Sequence, residues 1–338
     1  MVDIPQTLIE KLQNRKVVLF VGAGLSIGAG LPSWTNLLQY LIKYVEDNIP
    51  NKGNELVVVR EAIKDNELLI AADRLFEIMN KNYFSMAMKK NVRDEEISVQ
   101  NTHYLITQLP FRQILTTNYD VLLESAYQDE LRIPVYTQEH NVELAQILSN
   151  DERCIIKCHG TIDDVKTIVL TKRDYQKISK NSGYNLFLSA LFATKTVLFI
   201  GYSLSDPDLN LIMENIFNAF NGGNTAHYAL LWRNQIKDYK IQDFHRNHNI
   251  QVMVYDEHSE VETFLQQLVD AIPISSLEEN SIGSKGQEIL DSMLKPELNL
   301  SEFEFYEKQL IEIGEDQKKL TYMVCTLTDG CGFTMMIK

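Results

Sequence analysis

A short apolar strand that leads directly into a glycine-rich stretch is the feature that most constrains the fold of this chain. Residues 17–21 read VVLFV, which is typical of a buried strand, and residues 22–30 read GAGLSIGAG, with four glycines. Because glycine lacks a side chain, backbone N–H groups at such a turn can approach a phosphate closely. Pro32 and the glycines beyond Gly24 are expected to keep the backbone irregular, unlike the strand–helix turn of the commonest dinucleotide-binding fingerprint. We therefore predict a long, flexible loop that holds a nucleotide diphosphate.

The rest of the chain alternates short apolar strands with amphipathic helices. Further strands are predicted at residues 112–116, 154–158, 167–170, 196–200, 227–232 and 250–255, and helices at residues 5–15, 36–47, 55–90, 101–110, 121–127, 185–194, 209–220 and 260–272. This alternation predicts an α/β fold, with a Rossmann-like parallel sheet covered by helices on both faces. Residues 36–110 form a helical insertion between the first two strands. In such sheets the ligand lies at the carboxyl ends of the strands.

The composition of the chain changes after residue 274. Residues 1–274 are expected to form one domain, and residues 275–286, SSLEENSIGSKG, have the composition of a linker. Two helical stretches, 287–294 and 301–320, then predict a helical C-terminal tail. Because no catalytic pattern occurs in residues 275–338, we expect this region to make subunit or partner contacts.

Composition and charge exclude some classes of partner. The chain has 338 residues, 45% of them hydrophobic, and a formal net charge of −14. An acidic surface disfavours a nucleic acid as the main partner, since such binding depends on Lys and Arg. No apolar run reaches membrane-spanning length, and residues 1–5 lack the charged and apolar regions of a signal peptide. We therefore expect a cytoplasmic protein without a nucleic-acid or membrane partner.

The cysteines do not predict a metal site. The chain has four, at Cys154, Cys158, Cys325 and Cys331, and none forms a Cys-x-x-Cys pair. Cys154 and Cys158 lie in a strand-like run, where residues an even number apart share a face. We interpret them as small core residues rather than zinc ligands.

Polar residues stand at the ends of four of the predicted strands. The first strand ends in the glycine stretch, and the others end in TTNYD at residues 116–120, in His159–Gly160 and in GYSLSD at residues 201–206. Since the carboxyl ends of parallel strands meet at one edge of the sheet, these groups are expected to form a single site.

The same four motifs, in this order, resemble those of the sirtuin family, and in particular its bacterial SIR2-like branch. The resemblance covers residues 10–272. Two departures from the protein-deacylating sirtuins are evident: this chain has no cysteine between Cys158 and Cys325, and it has LPSW at residues 31–34 where those enzymes have an IPDFR type of sequence. The zinc-free SIR2-like proteins that the chain resembles are anti-phage effectors that hydrolyse NAD⁺, often as oligomers that a partner switches on.

The resemblance implies a role for each motif, with NAD⁺ as substrate and no metal. The residues concerned are Asn118 and His159 as catalytic groups, Gly22, Ala23, Gly24 and Ser26 around the pyrophosphate, Asp120 at the nicotinamide amide, and Gly201, Ser203 and Asp206 on the adenosine side. An imidazole can activate a hydroxyl or a water near neutral pH, and an amide can position either of them.

Structural roles are the alternatives at several of these positions. Asn118 and Asp120 could cap the helix that follows them, and Asp206 could cap a helix that starts at Pro207. His159 could be a hydrogen-bonded structural residue. Trp34 could cover the cofactor or anchor the loop by apolar packing.

The resemblance predicts an NAD⁺ glycohydrolase that acts as a regulated anti-phage effector in abortive infection. Such a protein is expected to form a homo-oligomer and to respond to an activating protein, either an ATPase or a phage-sensing protein. Two alternatives are an NAD⁺-dependent protein deacylase, which the absence of zinc cysteines disfavours, and a non-catalytic nucleotide-binding sensor or assembly module.

Overall fold

A computed structural model describes residues 2–92, 97–128, 133–204, 207–223 and 225–272. Within these ranges, seven strands form one sheet in the order β3-β4-β2-β1-β5-β6-β7. They are β1 (Val17–Val21), β2 (Gln113–Thr116), β3 (Val135–Thr137), β4 (Cys154–Lys157), β5 (Thr196–Ile200), β6 (His227–Trp232) and β7 (Ile250–Tyr255). Every neighbouring pair is parallel, so the predicted parallel α/β sheet is confirmed.

Helices fill the connections between the strands. They are α1 (Gln6–Gln13), α2 (Ala23–Ile27), α3 (Trp34–Asn48), α4 (Gly53–Lys64), α5 (Leu68–Ile78), α6 (Lys81–Val92), α7 (Asn101–Thr107), α8 (Leu122–Gln128), α9 (Asn141–Asn150), α10 (Lys172–Ser179), α11 (Ser182–Thr194), α12 (Pro207–Ala219), α13 (Asp238–His248) and α14 (Ser259–Ala271). In the described part of the chain, no helix has the length and apolar character needed to cross a membrane.

The central strands are buried on both faces because helices cover both sides of the sheet. All residues of β1 and β5 are buried. On one face, Phe20 and Phe199 pack 5.3 Å apart, ring centre to ring centre, in a core shared with α9, α11 and α12. On the other face, the Tyr228 hydroxyl lies 2.7 Å from Thr7 Oγ1 of α1. Alternate residues of a strand thus serve two separate apolar layers.

The predicted helical insertion between the first two strands is confirmed, although it is not one continuous helical stretch. Helices α3 to α6 share their own apolar core, which includes Leu41, Val59 and Leu75. The stretch predicted as helical throughout, residues 55–90, is divided into α4, α5 and α6. Asn66, at φ +60° in the left-handed region, makes the turn between α4 and α5.

Five elements were missed and one predicted strand is wrong. The missed elements are α2, β3, α9, α10 and α13. The predicted strand at residues 167–170 is instead the end of a 3₁₀ turn followed by irregular backbone. Its apolar residues are nevertheless buried, and the Val169 N–H bonds the His159 carbonyl at 2.9 Å. The predictions for residues 275–338 and for Asp206 lie outside the described residues.

The two described cysteines are core residues, as predicted. Cys154 and Cys158 are fully buried, and burial raises the pKa of the Cys154 thiol to about 12. Among the described residues, no group of three or more His, Cys, Asp or Glu could hold a metal ion.

Candidate functional site

A cavity of about 610 Å³ lies at the carboxyl ends of the strands. Residues that follow β1, β2, β4 and β5 line it, together with the ends of β6 and β7 and parts of the helical insertion. Of the residues predicted for the site, the cavity is lined by Ala23, Gly24, Ser26, Asn118, Asp120, His159, Gly201 and Ser203. Gly22 is not among the residues that line it. The structure thus brings the four motifs together, as the strand order requires.

Asn118 is held in a fixed orientation on the wall of the cavity. Its side chain is buried, and the amide nitrogen donates to the Gly22 carbonyl at 3.1 Å and to Ser26 Oγ at 2.9 Å. Its backbone N–H donates to Thr116 Oγ1 at 3.0 Å. The amide oxygen accepts no hydrogen bond from any described residue. It is therefore the group of Asn118 that remains for a donor such as a hydroxyl or a water.

Asp120 has the helix-capping contact that the alternative interpretation requires. One carboxylate oxygen accepts from the Leu122 N–H at 3.1 Å at the start of α8, and the other accepts from Ser26 Oγ at 2.9 Å. Asp120 also borders the cavity. Ser26 therefore links the Asn118 amide to the Asp120 carboxylate, and this chain of hydrogen bonds orients both side chains.

His159 follows β4 directly and faces the same cavity as Asn118. Its ring packs edge-on against Tyr175, with ring centres 5.3 Å apart. The next residue, Gly160, has φ +82°, and a Cβ there would lie 2.1 Å from the Thr167 carbonyl oxygen. Glycine is therefore required immediately after His159, because the chain turns sharply under a neighbouring segment.

The predicted loop after β1 is wrong for Ala23–Ile27, which form helix α2, whereas residues 28–33 have the irregular backbone expected around Gly28, Gly30 and Pro32. Gly22 and Gly24 pack backbone to backbone against the end of β5: their N–H groups bond the carbonyls of Ile200 at 3.0 Å and Gly201 at 2.8 Å. A Cβ on Gly22 would lie 2.4 Å from the Gly201 oxygen. These glycines therefore allow two strand ends to approach closely. Their N–H groups already donate hydrogen bonds to the β5 end.

Sequence reasoning missed an aromatic cluster at the far end of the cavity. Trp232 and Tyr255, the last residues of β6 and β7, line it together with His258. The Trp232 and His258 rings are 4.6 Å apart, and Trp232 Nε1 donates to the Asp256 carbonyl at 3.0 Å. Aromatic residues at two adjacent strand ends were a visible signal in the sequence.

The opposite end of the cavity is formed by the helical insertion. Trp34 lines the cavity there and also packs against the apolar core of α3 to α6, which supports the anchoring role proposed for it. Ser33 caps α3, since its Oγ accepts from the Asn36 N–H at 3.3 Å. The insertion therefore fixes this wall of the site.

The family comparison agrees with this geometry. Residues 112–253 match the model of the SIR2-like domain. This part of the chain is therefore similar to SIR2-like domains. The matched region runs from the start of β2 into β7, and it includes Asn118, His159 and Gly201. The glycine turn after β1, which precedes it, completes the same cavity.

Several curated proteins are similar to this chain. NAD(+) hydrolase ThsA of Enterococcus faecium is 30% identical over 225 residues, which cover 66% of this chain and 44% of that protein. NAD(+) hydrolase ThsA of Bacillus cereus (strain MSX-D12) is 27% identical over 281 residues, covering 78% and 56%. Defense-associated sirtuin 2 of Bacillus subtilis is 28% identical over 222 residues, covering 63% and 20%. The chain spans about half the length of the two ThsA proteins.

Proposed function

We propose that this site hydrolyses NAD⁺ to nicotinamide and ADP-ribose. The observation that carries the proposal is the meeting of Asn118 and His159 on one cavity, at the ends of neighbouring strands β2 and β4. The names of the ThsA relatives support the same reaction. The cavity of about 610 Å³ is of a size suited to one dinucleotide.

In the proposed reaction, the bond between the nicotinamide nitrogen and ribose C1′ breaks, and a water oxygen forms the new bond to C1′. Nicotinamide leaves as a neutral molecule, so the leaving group needs no strong acid. The water loses one proton, which an imidazole such as that of His159 can accept. The Asn118 amide oxygen accepts a hydrogen bond from the water or from a ribose hydroxyl and so orients the reactants.

The order of the strands supports one direction for the dinucleotide. In this proposal the reacting ribose lies beside Asn118 and His159, at the ends of β2 and β4. The glycine contacts between β1 and β5 come next in the sheet, followed by Trp232 and Tyr255 at β6 and β7. We propose that the pyrophosphate lies near Ala23, Gly24 and Ser26, that Ser203 lies on the adenosine side, and that the adenine base lies on the aromatic cluster.

Replacing Trp232 with alanine is expected to raise the KM for NAD⁺ about tenfold and to leave kcat within about twofold. Stacking of a base on an aromatic ring contributes about 1–3 kcal/mol, and the adenine lies far from the bond that breaks. Initial rates of nicotinamide release over a range of NAD⁺ concentrations measure both constants. Trp232→Phe keeps a stacking surface and is the matched control. An unchanged KM in Trp232→Ala would place the adenine elsewhere.

The test of the proposed function is incubation of the chain with NAD⁺, followed by chromatography of the products. We expect equal amounts of nicotinamide and ADP-ribose, without any peptide. NAD⁺ consumption that requires an acyl-lysine peptide would instead support a deacylase. Tight NAD⁺ binding in calorimetry, without cleavage in any assembly state, would support a nucleotide-binding sensor.

We propose further that the whole protein is a regulated defence effector in the cytoplasm, as the name of the Bacillus subtilis relative suggests. A permanently active NAD⁺ hydrolase would exhaust the cofactor of its own cell, so control by self-assembly or by an activating protein is expected. The assay is therefore run on each oligomeric fraction separately, with and without a candidate activator.

A further inference from the structure

A fully buried cation lies beneath the candidate site. Lys157, the last residue of β4, is 1% exposed, and its Nζ lies 3.0 Å from Glu124 Oε1 on α8. Removing a charge from water is costly unless a partner compensates it, and Glu124 is the carboxylate partner of this lysine. Lys157 does not line the cavity. Any contribution of Lys157 to the reaction must therefore act through other residues.

The second contact of Lys157 shows which residues those are. Its Nζ also donates to the backbone carbonyl of Asp120, in the turn that carries Asn118. Lys157 pairs in register with Thr116 of β2 and stands two residues before His159. One ammonium group therefore links the turn after β2 to the strand end from which His159 projects.

We propose that Lys157 is a positioning residue that sets the placement of Asn118 relative to His159, an inference that rests on the proposed NAD⁺ hydrolysis. The two side chains come from different strands, and the hydrogen bonds of Asn118 run to the β1 side of the site, to Gly22 and Ser26. The Lys157 contact with Asp120 holds the same turn from the β4 side. The turn is thus fixed from both neighbouring strands.

The ion pair also keeps the charge beneath the site balanced. Positive charge develops on the ribose as nicotinamide leaves, and an uncompensated ammonium nearby would oppose it. Glu124 neutralises Lys157 at a separation of 3.0 Å. The pair can therefore fix the turn without adding net charge under the reacting sugar.

The test replaces both members of the pair, as Lys157→Met with Glu124→Leu. Removing both side chains leaves no unpaired buried charge, so the fold is expected to keep its stability. Either single substitution would leave the charge of the other residue buried without a partner. The contact with the Asp120 carbonyl is lost. We expect kcat for NAD⁺ hydrolysis to fall about ten- to hundredfold, as small misplacements of reacting groups do, with KM within about twofold.

Lys195→Met is the matched control. Lys195 also forms an ion pair, 2.8 Å from Asp151, but it precedes β5 at the opposite edge of the sheet from the cavity. Its removal is expected to leave kcat unchanged. A purely structural role for Lys157 would give a double variant with wild-type kcat once it folds, and that result would overturn the inference.

Amide hydrogen exchange gives a second readout that does not depend on catalysis. In the double variant, exchange is expected to accelerate in peptides that cover residues 117–121 and to stay unchanged in β5 and β6. If the wild-type chain does not cleave NAD⁺ in any assembly state, the proposed function fails and the exchange result alone decides the positioning role. If residues 117–121 of the double variant then exchanged at the wild-type rate, the positioning role of Lys157 would be overturned.

Discussion

Replacing His159 with alanine is expected to abolish NAD⁺ cleavage, with kcat lower by about 10²–10⁴-fold, while the protein stays folded. The imidazole faces the cavity at the end of β4 and is the group best placed there to accept the proton of the attacking water. Nicotinamide release, followed by chromatography, measures the rate. Calorimetric titration with ADP-ribose is expected to show that binding survives, since the proposed dinucleotide contacts on β1, β5 and β6 are unchanged.

The control for this experiment is His245→Ala. His245 is exposed on α13 and does not line the cavity, so its loss is expected to leave the rate unchanged. Asn118→Ala is expected to act like His159→Ala, because it removes the amide that orients the reactants. Full activity in both the His159 and the Asn118 variants would show that the chemistry takes place elsewhere.

The sequence was sufficient to predict the parts of the site that depend on local pattern. Apolar runs such as residues 227–232 and 250–255 matched β6 and β7 residue for residue, because β6 is buried along nearly its whole length and β7 contains three β-branched residues. The polar strand ends met on one cavity because every strand is parallel. Asn118 and His159 could therefore be placed together before the strand order was known.

The features that were missed either lack a local pattern or depend on contacts between distant segments. Edge strand β3 has three residues, too few for a periodic pattern, and α13 has no buried residue to reveal an apolar face. The role of Lys157 requires the register of β4 against β2. Similarly, the glycines after β1 suggested a flexible loop, whereas their partner is Gly201, far along the chain. The local sequence does not show which distant segment of backbone packs against a glycine.

That glycine contact leads to the second prediction: Gly22→Ala is expected to destabilise the protein by about 3 kcal/mol or more, at the upper end of the cost of overpacking. The new Cβ would lie 2.4 Å from the Gly201 carbonyl oxygen and 2.6 Å from the Tyr202 Cα. Both are backbone atoms between the two central strands, so no side-chain rotation can relieve the clash. The midpoint and slope of urea unfolding measure the loss.

Gly53→Ala is the matched control for Gly22→Ala. Gly53 is the first residue of α4, and a Cβ there would have nothing within 4 Å. Because alanine favours the helix and restricts the unfolded chain, this change is expected to stabilise the protein by up to about 1 kcal/mol. The same substitution is therefore expected to lower the free energy of unfolding at Gly22 and to raise it at Gly53. If Gly22→Ala unfolded at the same urea concentration as the wild-type protein, the close contact between the ends of β1 and β5 would not exist. The wall of the cavity would then not be formed by the approach of these two strand ends.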